Sequence, residues 1–238
     1  MILLFRAVDW NHYSTRRSFV IYFSQLFRKG VTAVHEESLI PYTLRWPDGV
    51  FPLGGDTLEL GAFATVRRNW RVCDLGTGSG ALLLLLKRRE ESLRLTGVEL
   101  DELSARIARE NLDRNDLAGE ILHADLRTVP LPAGQFDLVI SNPPYFPLHT
   151  GPSGGPFRSE EGCRLEELCA CAARLVRNGG RFALCHRPER LADLMCTLRV
   201  HDLEPKRMKL LSHSSGHPPF LVLLECVKQG RPGLELLP

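Results

Sequence analysis

At 238 residues, with 24% charged and 44% apolar residues, the chain can bury one large core and has the balance of an ordinary soluble globular protein. Its net charge of +2 is too small to mark a nucleic-acid binder by itself, although the positive excess lies in the flanks, 1–45 and 142–238, where a polyanionic substrate could dock. Seven cysteines, an odd number without a Cys-x-x-Cys pair, argue against a disulfide framework and a zinc ribbon, and no apolar run is long enough to span a membrane.

Met1 to Gly30 is unlike the rest. It mixes aromatics with Arg6, Arg16, Arg17, Arg28 and Lys29 against one acid, Asp9. An amphipathic helix, a basic targeting-like arm and translated sequence upstream of the true start all fit it, and no secretory cleavage pattern follows. Residues 1–38 are therefore set apart as an atypical extension, 39–68 as a substrate-side segment, and 69–238 as the main domain. Leu44 to Phe51 reads as two short strands joined by Pro47-Asp48-Gly49. Gly54-Gly55-Asp56 precedes a periodic run to Val66 that suits a helix with Asp56 as N-cap.

Strand and helix patterns then alternate, the mark of a parallel sheet with crossover helices. Strands are predicted at 71–75, 94–99, 120–123, 136–141 and 180–185, and helices at 79–90, 101–115, 161–177 and 188–199. Two last strands, 205–212 and 220–227, have no helix between them and fit an antiparallel hairpin at one sheet edge. The cysteines read mostly as buried small apolar groups in a reducing, cytoplasmic setting. His186, His201, His213 and His217 lack metal-ligand spacing, so no metal is assigned.

The first predicted strand of the alternation ends in Asp74-Leu75-Gly76-Thr77-Gly78-Ser79-Gly80. Glycines let the backbone take positive φ and let a ligand approach closely, and the helix that follows has an electropositive N-terminus. Glu99, at the end of the next strand, is placed to hold both hydroxyls of a ribose. Gly76, Gly78 and Ala81 equally satisfy the dinucleotide fingerprint of a nicotinamide-dependent oxidoreductase. Asp74 tilts the choice, because a carboxylate there repels a pyrophosphate and suits a cation. S-adenosylmethionine carries an ammonium and a sulfonium and no phosphate, and the Asp-x-Gly-x-Gly-x-Gly spacing resembles motif I of Rossmann-like methyltransferases.

A later apolar strand runs into Asn142-Pro143-Pro144-Tyr145. An exocyclic or amide nitrogen is a poor nucleophile because its lone pair is delocalised. The side-chain carbonyl of Asn142 and the backbone carbonyl of Pro143 can accept its two hydrogens, which favours a pyramidal nitrogen aimed at a methyl donor. Prolines hold the loop rigid and remove donors. Tyr145 offers a flat surface to a planar substrate such as a flipped-out base.

With both motifs, the chain resembles the bacterial family of tRNA1(Val) (adenine-37-N6)-methyltransferases from about Trp46 to Leu237. The likeness includes Pro52-Leu53-Gly54-Gly55-Asp56, Phe157-Arg158-Ser159-Glu160, Arg187-Pro188-Glu189-Arg190, Leu203-Glu204-Pro205-Lys206-Arg207 and Gly230-Arg231-Pro232-Gly233. It implies an α/β Rossmann-like class I methyltransferase with a mixed seven-stranded sheet, helices on both faces and an antiparallel edge hairpin. It also implies S-adenosylmethionine as cofactor and tRNA as partner. Gly55 and Asp56 would lie near the methionine end of the cofactor, with Asp74, Gly76, Gly78, Gly80 and Glu99 completing its site. Asp125 would accept from the adenine amino group of the cofactor. Asn142, Pro143 and Tyr145 would hold the target amine, with Pro144, Arg158, Lys206 and Arg207 on the substrate side, the last two as phosphate contacts. Asn-Pro-Pro-Tyr also occurs in enzymes that methylate DNA adenine, rRNA guanine and a release-factor glutamine, so the motif fixes amine methylation better than it fixes the acceptor.

Overall fold

The computed structural model describes residues 33–143, 164–214 and 216–238. The chain opens with an antiparallel hairpin, β1 (Val34–Leu39) and β2 (Tyr42–Pro47), which reverses at Ile40-Pro41. Pro47-Asp48-Gly49 therefore follows a strand instead of joining two. The Asp48 carboxylate accepts from His35 Nε2 at 2.8 Å and from Ala33 N at 3.3 Å, which ties this turn to the open end of the hairpin. The boundary expected at residue 38 falls inside β1, and residues 1–32 lie outside the described residues. Leu44 and Trp46 bury one face of β2.

The outer edge of β2 is closed by side chains. Asn111 accepts from Arg45 N at 3.0 Å and donates to Arg45 O at 2.8 Å, while Asn115 does the same for Thr43 at 2.8 Å each. Two amides one helical turn apart thus imitate a neighbouring strand and fasten the hairpin to α3 (Glu102–Arg114).

Helix α1 (Gly55–Phe63) takes Gly54 as its N-cap, so the assignment of Asp56 to that position is corrected. Asp56 lies in the first turn, where its charge meets the positive end of the helix. The strands β3 (Arg71–Leu75), β4 (Arg94–Glu99), β5 (Gly119–His123), β6 (Phe136–Ser141) and β7 (Val176–His186) are parallel neighbours in the order 7-6-3-4-5. The chain leaves β3 towards β4 and β5 and returns to β6 on the other side. This reversal opens a crevice at the carboxyl ends of β3 and β6.

Strand β9 (Leu221–Lys228) runs antiparallel to β7, and β8 (Leu203–Leu211) antiparallel to β9. The expected hairpin is present, but the described sheet has eight strands rather than seven. β10 (Glu235–Leu237) pairs parallel to β8 and takes the edge. Helices α2 (Ala81–Arg89) and α3 cover one face with α1, and α4 (Leu165–Leu175) and α5 (Leu191–Val200) cover the other. Alternation along β3 divides the core accordingly, with Val72 in one cluster and Cys73 in the other.

Candidate active site

The crevice holds a cavity of about 510 Å³, walled by the ends of β3, β4, β6 and β7 and by the start of α1. Gly76 and Gly78 line it with φ of +73° and +56°, and nothing stands within 4 Å of where their Cβ atoms would be. The amides of Gly76 and Thr77 donate to Val98 O at 2.8 and 3.1 Å and hold the loop down on β4. Glu99 braces the same loop, accepting from Gly78 N at 2.7 Å and from Asp101 N at 3.0 Å. This carboxylate still has lone pairs for hydroxyl donors.

Asp74 is fully buried in the cavity wall. Its Oδ2 accepts from Thr77 Oγ1 at 2.7 Å, whereas its Oδ1 has no hydrogen-bond partner among the described residues. Burial pushes its carboxyl up to about 7, helped by the nearby charge of Glu99 and opposed by the Thr77 bond. A buried, half-satisfied carboxylate calls for a donor or a cation and rejects a phosphate. The glycine cradle, the Glu99 carboxylate and this orphaned oxygen together fit S-adenosylmethionine, a nucleoside whose chain is cationic and phosphate-free. They do not fit a dinucleotide pyrophosphate.

Asp125 lies on the cavity wall just beyond β5. Arg127 clasps its carboxylate through Nε at 2.9 Å to both oxygens and holds it below the usual carboxylate range. Arg127 also reaches Glu167 of α4 at 3.7 Å, which links this acid to the neighbouring helix. Asp56 lines the cavity, but Gly55 and Gly80, expected at the cofactor, do not. Gly55 opens α1 and so sets Asp56 and Thr57 on the wall. Gly80 takes φ +83° at the N-cap of α2, a backbone conformation that L side chains rarely adopt, and a Cβ there would lie 3.5 Å from Ala108 of α3.

Asn142 and Pro143 continue from β6 and line the same cavity. The Asn142 amide donates from Nδ2 to Thr57 Oγ1 at 2.9 Å, and its Oδ1 accepts from Cys185 Sγ at 3.1 Å. Pro144, Tyr145 and Arg158 lie outside the described residues. Lys206 and Arg207, on β8, do not line the cavity. The exposed Lys206 ammonium donates to Arg231 O at 3.1 Å. Arg207 is tied inward, donating from Nη1 to Thr65 Oγ1 at 2.9 Å and pairing with the buried Glu225 at 3.1 Å, with its guanidinium over the Phe63 ring. These contacts make it a tether between α1 and the sheet.

Sequence reading missed Thr57 and His186. His186 ends β7 on the cavity wall, and its Nδ1 accepts from Arg187 N at 2.9 Å. Burial lowers its imidazole to about 4, so at neutral pH it is uncharged with its proton on Nε2. A residue at the carboxyl end of a strand in such a sheet is a site candidate by position alone, and that signal would have found it. Among the described residues no group of three or more His, Cys, Asp or Glu could hold a metal ion, and no helix is long and apolar enough to cross a membrane.

Residues 56–190 match the model of the methyltransferase small domain family. The tRNA1(Val) (adenine(37)-N6)-methyltransferase of Cronobacter sakazakii is 38% identical over 180 residues, 72% of this chain and 73% of that relative. The enzyme of the same name from Tolumonas auensis is 32% identical over 179 residues, 72% of this chain and 74% of its own. Among solved structures, a predicted O-methyltransferase from Agrobacterium tumefaciens superposes with a TM-score of 0.63 at 24% identity, over 76% of this chain and 84% of that one. The Thermus thermophilus 16S rRNA N2 G1207 methyltransferase, in complex with AdoMet and guanosine, does so with a TM-score of 0.59 at 24% identity, over 89% of this chain and 51% of that one. These two likenesses establish the fold, and the sequence relatives go further. The chain belongs to the methyltransferase small domain family, where it groups with the tRNA1(Val) (adenine(37)-N6)-methyltransferases as an S-adenosylmethionine-dependent methyltransferase.

Proposed function

We propose that this protein methylates N6 of an adenine in tRNA, at position 37 beside the anticodon, and works in the cytoplasm. The observation that carries the reading is the pairing, on one cavity, of the half-satisfied Asp74 carboxylate with the amide of Asn142. The names of the sequence relatives supply the acceptor.

When bound, the cofactor supplies an electrophilic methyl group. The chain's own part is to place Asp74 against the cationic end and Glu99 against the ribose. Asn142 Oδ1 and the Pro143 carbonyl each take one hydrogen of the target amine. Holding both hydrogens bends the nitrogen out of plane and directs its lone pair along the line of transfer. No general base is required, because the methylated ammonium is acidic and loses its proton to water. His186, neutral at the same wall, adds no competing positive charge.

Labelled-methyl transfer to unmodified total tRNA, followed by nucleoside mass spectrometry, should yield N6-methyladenosine. Asn142→Ala should lower the rate on the order of 10²-fold or more, by analogy with removal of other oriented transition-state hydrogen bonds. Transfer to DNA or to a release factor in place of tRNA would keep the chemistry and change the acceptor.

A further inference from the structure

We propose that Thr57 and Cys185 form a clamp that sets which end of the Asn142 amide faces the target amine, making both of them positioning residues for turnover. The proposal rests on the amine-holding role given above to Asn142. An asparagine side chain has two ends of opposite function. Its oxygen can accept from a target amine, and its NH2 group would repel one. Rotation by 180° about the last bond would therefore disable the site without moving the backbone.

The two neighbours resolve that ambiguity by chemistry. A hydroxyl and a thiol can each donate or accept, but oxygen accepts well and sulfur poorly. The structure turns Nδ2 towards Thr57 Oγ1, at 2.9 Å, and Oδ1 towards the Cys185 thiol, at 3.1 Å, so that both bonds end on oxygen. Both neighbours are rigid. Thr57 is buried in the first turns of α1, and Cys185 is buried in β7, where the parallel register of Ser141 with Leu184 sets residues 142 and 185 side by side. A carbonyl oxygen can accept two hydrogen bonds, so accepting from the thiol is compatible with accepting from an amine. A weak donor here also withdraws little electron density from that oxygen. The clamp makes the N-terminal helix α1 part of the catalytic arrangement, although it precedes the first strand of the main sheet.

The test uses the full chain with unmodified tRNA as acceptor. Thr57→Val keeps the shape and removes the hydroxyl. It should lower kcat on the order of 10- to 100-fold, the scale of a misplaced reacting group, with S-adenosylhomocysteine affinity unchanged. Thr57→Ser should restore the rate. In an Asn142→Ala background, Thr57→Val should cost nothing further, because it acts through that side chain. Cys185→Ala should act in the same direction and be non-additive in the same way. A Thr57→Val enzyme of wild-type kcat would overturn the clamp, as would a loss that multiplies with that of Asn142→Ala or that tracks lost cofactor affinity. If Asn142→Ala itself runs at full speed, it is the amine-holding reading that falls. A readout independent of the acceptor separates the two: the Nδ2 protons of Asn142 should exchange slowly with solvent in wild type and Thr57→Ser, and fast in Thr57→Val. Equal exchange in all three would rule the clamp out.

Discussion

Asp74 and Glu225 are both carboxylates with no exposed surface, and they sit in opposite conditions. Glu225, on β9, pairs with Arg181 at 2.6 Å and Arg207 at 3.1 Å, and accepts from Thr65 N at 2.7 Å and Thr65 Oγ1 at 2.9 Å. Asp74 has the Thr77 hydroxyl on one oxygen and no hydrogen-bond partner among the described residues on the other. Glu225 joins the segment just after α1 to β7, β8 and β9. Asp74 faces a cavity built to receive something else. Burial of a charge does not mark a functional site; an incomplete set of partners does.

Removing each group should therefore move stability in opposite directions. Glu225→Ala leaves the guanidinium groups of Arg181 and Arg207 partly buried without their carboxylate, and should destabilise by ~3–5 kcal/mol in chemical denaturation. A cost below ~1 kcal/mol would erase the distinction between the two carboxylates.

Asp74→Asn should do the reverse to the ligand-free protein. Burial pushes the folded carboxyl up to about 7, from the 3.8 of the free group. The folded state thus holds its proton more tightly than the unfolded state, and stability falls as pH rises from about 4 to 7. Above pH 7 the ionised group costs at most about 4 kcal/mol, which the amide would recover while losing affinity for the cationic cofactor. His186 runs the other way over an overlapping window. Its pKa is depressed to about 4 from 6.5, so the unfolded state takes up a proton first and stability is lost as pH falls from 6.5 to 4. In wild type the two trends oppose each other, and melting temperature should change little between pH 4.5 and 6.5. Asp74→Asn should expose the His186 loss as a clear slope. The same logic gives cofactor binding a proton signature: calorimetry in buffers of different ionisation enthalpy should find close to one proton released at pH 6 and almost none above pH 8.5. A pH-independent proton count of zero would mean that Asp74 is ionised before the ligand arrives.

The same contrast explains what could be read in advance. β3, β4 and β6 are legible because their buried runs are bounded by turn residues, and Asp74 because short spacing fixes it to the glycine cradle. Thr65 and Glu225 lie 160 residues apart, and Thr57 and Asn142 lie 85 apart, so no local pattern announces either contact. β1 hides behind His35, Glu36 and Glu37, polar residues of which Glu37 is nonetheless buried. The expected helix over 161–177 and strand from 180 leave Asn178-Gly179 between them, yet the helix ends at Leu175 and β7 runs from Val176 through both residues. The register with β6 shifts there, and a Cβ on Gly180 would come within 2.7 Å of the Val176 side chain. β10 has three residues, too few to show a period.

Lys206 and Arg207 repeat the contrast in adjacent residues, and here the expected effects are smallest. The family resemblance implies phosphate contacts for both. β8 shifts register against β9 between Pro205 and Arg207, and the two side chains part there: Arg207 reaches the buried Glu225 while the Lys206 ammonium lies exposed against Arg231 O. Arg207→Ala should lower the melting temperature and leave the salt dependence of tRNA binding unchanged. Lys206→Ala should change stability by less than ~0.5 kcal/mol. If its ammonium meets a phosphate, the slope of log affinity against log salt should fall by about one. An unchanged slope would leave Lys206 as solvated charge, and the basic docking surface for tRNA would then have to be sought on other residues of the flanks.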